Sequence, residues 1–201
     1  MLSTHHSDKF NDDVIEAIRN WRSWSYLAWI DTRMRYRRSL LGPWWITLSM
    51  AIFIALIGAV YGQLFAVERA DYLPFLASGF IFWHLMLSTI SEAPTLFVAQ
   101  APMIKDHRCN FMAIFFRYLC RNLFIFLHNI IVLVIVLALY SPPLSLAIFW
   151  LLPAFLLFIL NLSWITLALA MLGARFRDVP PIINSLLQVL FFVTPIVWMP
   201  E

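Results

Sequence analysis

Five long apolar segments follow an amphipathic start, and their lengths predict helices that cross a bilayer. They run from about Pro43 to Phe65, Tyr72 to Ile90, Leu119 to Tyr140, Leu146 to Ala174 and Ile182 to Met199. About 20 apolar residues, rising ~1.5 Å each, span the hydrocarbon core of a membrane. The pattern therefore predicts an all-α integral membrane protein with five transmembrane helices.

The polar stretch before these segments has a different pattern. Over residues 12–32 apolar side chains recur at helical spacing between charged ones, and several tryptophans are added. Asp13 and Glu16 have the spacing of a capping box, which marks a helix start. We predict an amphipathic helix over 12–32 that lies in the membrane interface, preceded by a disordered cytoplasmic tail at 1–11. A helix packed on a soluble domain is the alternative.

The basic residues lie almost entirely on one side of the apolar segments. All but one of the 14 Lys and Arg fall within residues 9–38, 105–121 and 175–177. The exception, Arg69, lies in a short acidic loop that the alternation of spans places on the other face. Because short loops rich in Lys and Arg stay in the cytoplasm, we expect a multi-pass protein with a cytoplasmic N-terminus.

Composition narrows the class of partner. The chain is 62% apolar and 12% charged, whereas about a quarter of the residues of a soluble protein are charged. Its net charge of +3 comes from residues next to the membrane. We expect these to meet anionic lipid headgroups or an anionic substrate, and no nucleic acid.

Enzymatic chemistry has no visible basis in the chain. There is no GxxxxGK[ST] phosphate loop, no Ser/His/Asp arrangement and no CxxC pair, and the histidines lack metal-binding spacing. We predict no catalytic site, no metal and no enzyme activity, so any ATP would be hydrolysed by another polypeptide. For His84 and His128, inside the spans, we expect a neutral ring bonded to a neighbouring carbonyl.

Three polar stretches carry open alternatives. The basic segment, residues 33–38, either anchors the first span or captures phosphate groups, which Arg can bind bidentately. The stretch 91–118 is either a solvated loop or contains a short helix that docks a cytoplasmic partner. Arg175, Arg177 and Asp178 end the fourth span as a structural motif, with Asp178 able to neutralise a neighbouring Arg.

Aromatic residues crowd the ends of several spans. They either form an interfacial belt or line a channel in which sugar rings stack on them. The channel candidates are Trp44, Tyr61, Phe65, Phe82, Trp83, Phe191 and Phe192.

Several short motifs follow one another along the chain. In order they are RYRRSLLGPWW, VYGQLF, PFLASGFIFWHLM, APMIK, ARFRDV and LLQVLFFVTPIVWMP. This order resembles the permease subunit of ABC-2 type exporters, in the polysaccharide and polyol-phosphate branch that exports O-antigen, capsule and teichoic-acid chains. The resemblance covers about residues 10–201 and implies a transmembrane domain at 43–199.

The resemblance implies a homodimer with a channel at its interface, and a separate cytoplasmic ABC ATPase that binds the ATP, so no cofactor is bound directly. It places an ATPase-coupling segment at about 101–108, represented by Pro102, Met103, Ile104, Lys105, Asp106 and Arg108. It also places a gate for the pyrophosphate of a lipid-linked glycan at Arg33, Arg35, Tyr36, Arg37 and Arg38.

Two departures from the family pattern are visible. Asn110–Phe111–Met112 stands where the family usually has Phe-Pro. The family has six spans, with short outer helices before the last, so we expect this chain to be truncated before the sixth. The implied function is a permease that exports lipid-linked polysaccharide across the bacterial inner membrane. A permease for a drug or lipid, or an inactive truncated remnant, is the alternative.

Overall fold

The computed structural model describes residues 2–35, 37, 39–64, 68–105, 110–141 and 146–199. Within these ranges the chain forms helices and no strand, which confirms the all-α prediction. The helices are α1 Leu2–Arg19, α2 Trp21–Arg35, α3 Trp44–Leu64, α4 Arg69–Glu92, α5 Leu96–Ala99, α6 Ala101–Lys105, α7 Phe111–Tyr140, α8 Leu151–Arg175 and α9 Val179–Val193. Short 3₁₀ turns lie at Ala93–Thr95 and Leu146–Trp150.

Four helical stretches of the described chain are long and apolar enough to cross a membrane. They are Trp44–Leu64, Arg69–Ala99, Phe111–Tyr140 and Ile148–Arg175. Each overlaps a predicted span, but the second stretch continues past Ile90 to Ala99, and α7 starts at Phe111 instead of near Leu119. The earlier start has a local cause, because the Asn110 side chain accepts a hydrogen bond from the Met112 amide and so caps the helix.

The fifth predicted span is a shorter helix than expected. The segment predicted at 182–199 is helical from Val179 to Val193, 15 residues that rise ~22 Å. Pro195 favours an extended conformation at Thr194, whose ψ is 133°, and the helix ends there. The chain beyond it packs against α4, since the Tyr72 hydroxyl donates to the Val197 carbonyl at 2.6 Å.

The N-terminal part forms two helices where one was predicted. A turn at Asn20 separates α1 from α2, and the Trp24 indole bridges the break by donating to the Ala17 carbonyl at 2.8 Å. Helical backbone reaches back to Leu2, into the predicted tail. The predicted capping box is therefore wrong: Asp13 and Glu16 lie well inside α1, where no free helix-start amides remain to be capped.

The core is built around α4. Its buried residues meet those of α3, α7, α8 and the segment after α9, and 44% of its spanning window is buried against 17% for α8. The core side chains are Met50, Ile54, Tyr72, Leu76, Ala77, Phe80, Ile81, Trp83, Leu85, Phe126, Val132, Leu162 and Ile196. Consequently α4 is the central helix and α8 lies at the periphery.

Candidate functional site

The ion pairs among the described residues lie at one end of the bundle, here called the basic end, where α2, the end of α4 and the start of α7 meet. Arg117 binds Asp31 through two nitrogens, Nε to Oδ2 at 2.7 Å and Nη2 to Oδ1 at 2.6 Å. Glu92 is shared: Arg121 donates to its Oε2, and the Arg35 Nη2 lies 3.6 Å from its Oε1. These five residues are named the charge cluster.

Three members of the charge cluster, Asp31, Arg117 and Arg121, line a polar cavity of about 300 Å³ between α2, α5 and α7. Tyr118 also lines this cavity, and its hydroxyl donates a hydrogen bond to the Thr89 carbonyl at 2.7 Å. The ring of Tyr118 also lies 5.0 Å from the guanidinium carbon of Arg121. The sequence analysis did not single out Asp31, Glu92, Arg117 or Arg121. These residues could have been found from the sequence. Half-buried arginines require acidic partners, and only a few acidic residues lie near the basic stretches.

The basic segment is only partly drawn into this cluster. Arg35 pairs with Glu92, whereas Arg33 and Arg37 are exposed. Tyr36 and Arg38, also predicted for the phosphate gate, lie outside the described residues.

The predicted coupling segment forms α6. Pro102, Met103 and Lys105 are exposed and Ile104 is half-buried, so the helix offers an apolar surface with a cation at its end. Asp106 and Arg108 lie outside the described residues.

A close backbone contact between the 3₁₀ turn Ala93–Thr95 and α8 holds the segment that leads to α6. A Cβ atom added at Gly173 would stand 2.1 Å from the Pro94 carbonyl oxygen. Glycine is therefore needed there, because only its missing side chain lets the two backbones approach. This contact ties the loop before α6 to α8.

Asn110 ties α1 to α7. Its amide nitrogen donates to the Asp13 carbonyl at 2.8 Å and lies 3.3 Å from a carboxylate oxygen of Glu16, while its oxygen caps α7. The residue that departs from the family pattern thus fastens the N-terminal helix to the start of α7.

The predicted structural motif after α8 has simpler contacts. The guanidinium of Arg175 lies 5.5 Å from the Phe176 ring centre, and Arg177 is exposed. Asp178 directly precedes α9 without a side-chain cap. In this fully described stretch neither arginine pairs with Asp178, so the predicted neutralisation is not observed.

A groove of about 560 Å³ runs between α3, α4 and α9. Three of the predicted channel aromatics line it: Trp83, Phe191 and Phe192. The rings of Trp83 and Phe191 are 5.6 Å apart, and those of Phe191 and Phe192 5.4 Å. Its polar lining consists of Ser49, His84, Asn184 and Gln188. We name it the amide groove.

The remaining predicted aromatics lie elsewhere. Phe82 packs edge-on against Phe126 at 5.4 Å and against rings of α8, on a side of α4 that does not line the amide groove. Trp44 lines an apolar groove of about 510 Å³ between α3 and α7. Tyr61 packs against the core, and Phe65 lies outside the described residues.

His128 has the bond expected of a neutral ring inside a span. Its Nδ1 lies 2.8 Å from the Phe124 carbonyl one turn earlier. The His128 ring therefore has a hydrogen-bond partner within its own helix. The polar side chains of the spans that lie together are those that line the amide groove.

Known proteins resemble the sequence of this chain over most of its length. The sequence is 24% identical over 169 residues to the O-antigen export system permease protein RfbA of Klebsiella pneumoniae. The aligned region covers 84% of this chain and 65% of that protein. The chain thus spans less than two thirds of the length of this relative. Residues 22–201 match the family described as ABC-2 type transporter. With its apolar helices and this match over most of its length, the chain belongs to the ABC-2 type transporter family.

Proposed function

We propose that this chain is the permease subunit of an ATP-driven exporter that moves a lipid-linked polysaccharide from the cytoplasm across the bacterial inner membrane. The observation that carries the proposal is the amide groove, which combines aromatic rings with two carboxamides. Sugar rings present apolar C–H faces that stack on aromatics, and their hydroxyls hydrogen-bond to amides. The likeness to an O-antigen export permease supports the same cargo class.

The exposed side of α9 supports a homodimer. Leu187 is the buried residue of that helix, while Asn184, Ser185 and Gln188 are exposed. Polar side chains at membrane depth face a partner or a water-filled path in preference to lipid, and they hydrogen-bond across helices. A second copy facing the groove would cover them and close a polar pathway between the subunits.

The energy source is a separate cytoplasmic ABC ATPase. The exposed Met103 and Lys105 of α6 supply the docking surface, and the Gly173–Pro94 contact passes its movement to α8. On this view the basic end faces the cytoplasm, in keeping with the distribution of Lys and Arg, and the basic segment receives the phosphate of the cargo.

Replacement of the groove amides tests the cargo. The double variant Asn184→Leu, Gln188→Leu, produced with its ATPase in cells that lack their own O-antigen export permease, should lose surface polysaccharide at least tenfold. Asn161→Leu is the matched control, because Asn161 is an exposed amide of α8 whose side chain bonds its own helix at 2.8 Å. Full export by the groove variant would rule out the amide groove as the pathway, whereas a failure of the unaltered chain to restore surface polysaccharide would favour a drug or lipid as cargo.

Charge changes test the phosphate gate and the ATPase-coupling segment separately. Replacing Arg35, Arg37 and Arg38 with Gln should abolish export while the ATPase still co-purifies. Reversing charge at Lys105 and Arg108 should instead release the ATPase. If both variants export normally with the ATPase attached, neither assignment holds.

Crosslinking tests the dimer. With the native cysteines replaced, Gln188→Cys should form a disulfide-linked dimer in oxidised membranes, and Leu156→Cys on the exposed side of α8 should not. Equal crosslinking of both would place the interface elsewhere.

A further inference from the structure

Glu92 is shared by two arginines that hold it unequally. Arg121 donates a hydrogen bond to Glu92 and is only 21% exposed. It is also braced by the ring of Tyr118. Arg35 is 46% exposed, and at 3.6 Å from Glu92 it lies beyond hydrogen-bond range. One partner is therefore fixed and the other is easily released.

We propose that Glu92 is a placeholder for phosphate: it holds Arg35 until a phosphate or pyrophosphate group of the cargo binds that arginine and displaces the carboxylate. The proposal rests on the proposed function, because it assumes an anionic cargo at the basic segment. Glu92 would be a positioning residue, acting through Arg35.

The energetics allow this exchange. An exposed ion pair contributes little to stability, whereas phosphate can accept two charge-assisted hydrogen bonds from one guanidinium. After Arg35 leaves, Arg121 still neutralises Glu92. No half-buried carboxylate is left unpaired, so the release avoids the penalty that follows the loss of one member of a buried pair.

The position of Glu92 links the exchange to the rest of the molecule. Glu92 is the last residue of α4, and the next turn contains Pro94, whose carbonyl oxygen lies against Gly173 of α8. The same turn leads through α5 to α6. Release of Arg35 thus removes a contact at the point where the coupling segment is joined to the spans.

Binding of inorganic pyrophosphate to the full chain in phosphatidylcholine nanodiscs tests the proposal. Glu92→Gln should tighten binding roughly two- to fivefold, the equivalent of the weak pair it removes. Glu92→Asp keeps the charge and should restore the wild-type affinity. Adding Arg35→Gln to Glu92→Gln should abolish the gain, as expected of residues coupled in one interaction.

The possible outcomes separate the two proposals. Binding that depends on Arg35 but is unchanged by Glu92→Gln overturns the placeholder and leaves the basic segment as the phosphate site. Absence of binding by every variant overturns both. A gain that persists in the double variant overturns the placeholder, because Arg121 must then supply the site. A gain that disappears in phosphatidylglycerol nanodiscs assigns the phosphate to a lipid headgroup and overturns the cargo assignment.

Discussion

The basic end and the membrane-embedded body of this protein are held together by different kinds of contact. At the basic end α2 meets α7 through the bidentate Asp31–Arg117 pair. Asn110 bonds α1 to α7 next to the apolar cluster of Ala17, Met112 and Phe115. In the body, helices meet through apolar side chains and rings, such as Phe82 between α7 and α8. Polar links in the body include the hydrogen bonds from the Tyr72 hydroxyl to the Val197 carbonyl and from the Thr47 hydroxyl to the His128 carbonyl.

The difference has a physical origin and a consequence. Lipid tails are as apolar as the side chains of the body. Substitutions at positions that face lipid should therefore be tolerated. Hydrogen bonds and ion pairs at the basic end depend on distance and angle. We therefore expect single substitutions to change helix positions mainly at the basic end, where the coupling segment and the basic segment lie.

The largest effect is expected at the joint between the two regions. Gly173→Ala places a methyl group 2.1 Å from a backbone oxygen that cannot move freely, and should destabilise the protein by about 3 kcal/mol. Unfolding of the purified chain by denaturant in detergent measures it. Gly62→Ala is the control, because its nearest neighbour would be 3.7 Å away, and it should be neutral or stabilising. Equal stability of both variants would mean that the α8 contact is loose.

A smaller loss is expected from the charge cluster. Asp31→Ala leaves Arg117 without its bidentate partner at a site where the two side chains are 29% and 28% exposed, which should cost about 2 kcal/mol. A double-mutant cycle with Arg117→Gln measures the coupling between them by the same unfolding assay. Glu68→Gln, an exposed carboxylate at the other end, should change stability little. A coupling near zero would contradict the view that polar contacts fix α2.

The next effect separates the two roles of Asn110. Asn110→Ala should cost about 1 kcal/mol through loss of the α7 cap, and it also removes the bond to Asp13. Asn110→Ser keeps a capping oxygen but lacks the amide donor. Hydrogen exchange should therefore speed up in α1 for both variants, and at the start of α7 for Asn110→Ala alone. Unchanged exchange in α1 would show that Asn110 does not hold that helix.

The smallest effect is expected on the outside of the body. Leu156 of α8 is 61% exposed, and Leu156→Ala should change stability by less than about 0.5 kcal/mol. The same unfolding assay checks it. A loss as large as that of Asp31→Ala would show that α8 packs against something at this position, and the contrast between the two regions would fail.

Much of the fold follows from the order of residues. Long apolar segments predicted the spans because a bilayer leaves the backbone no alternative to internally bonded helices. Pro195, before which the fifth helix ends, is also visible in the sequence. The spacing of Asp13 and Glu16 misled, because a capping motif marks a helix start only where the chain before it is not helical.

The candidate site was less accessible to sequence reasoning. The clustering of Trp83 with Phe191 depends on α4 and α9 packing side by side, and adjacent Phe82 points to a different set of rings because successive helical residues are turned by about 100°. Among the arginines of the basic segment that the structure describes, Arg35 is the one that pairs with a carboxylate. Nothing in the order of arginines distinguishes it from Arg33.

Hydrophobic length and periodicity are local properties, so the chain alone established a helical, multi-pass membrane protein with its cations gathered at one end. Ion pairs such as Arg117 with Asp31, 86 residues apart, and the close approach of Gly173 to Pro94 depend on how distant helices pack. Those partnerships came from the folded arrangement, because contact between remote residues is decided by the packing of whole helices and not by the sequence near either one.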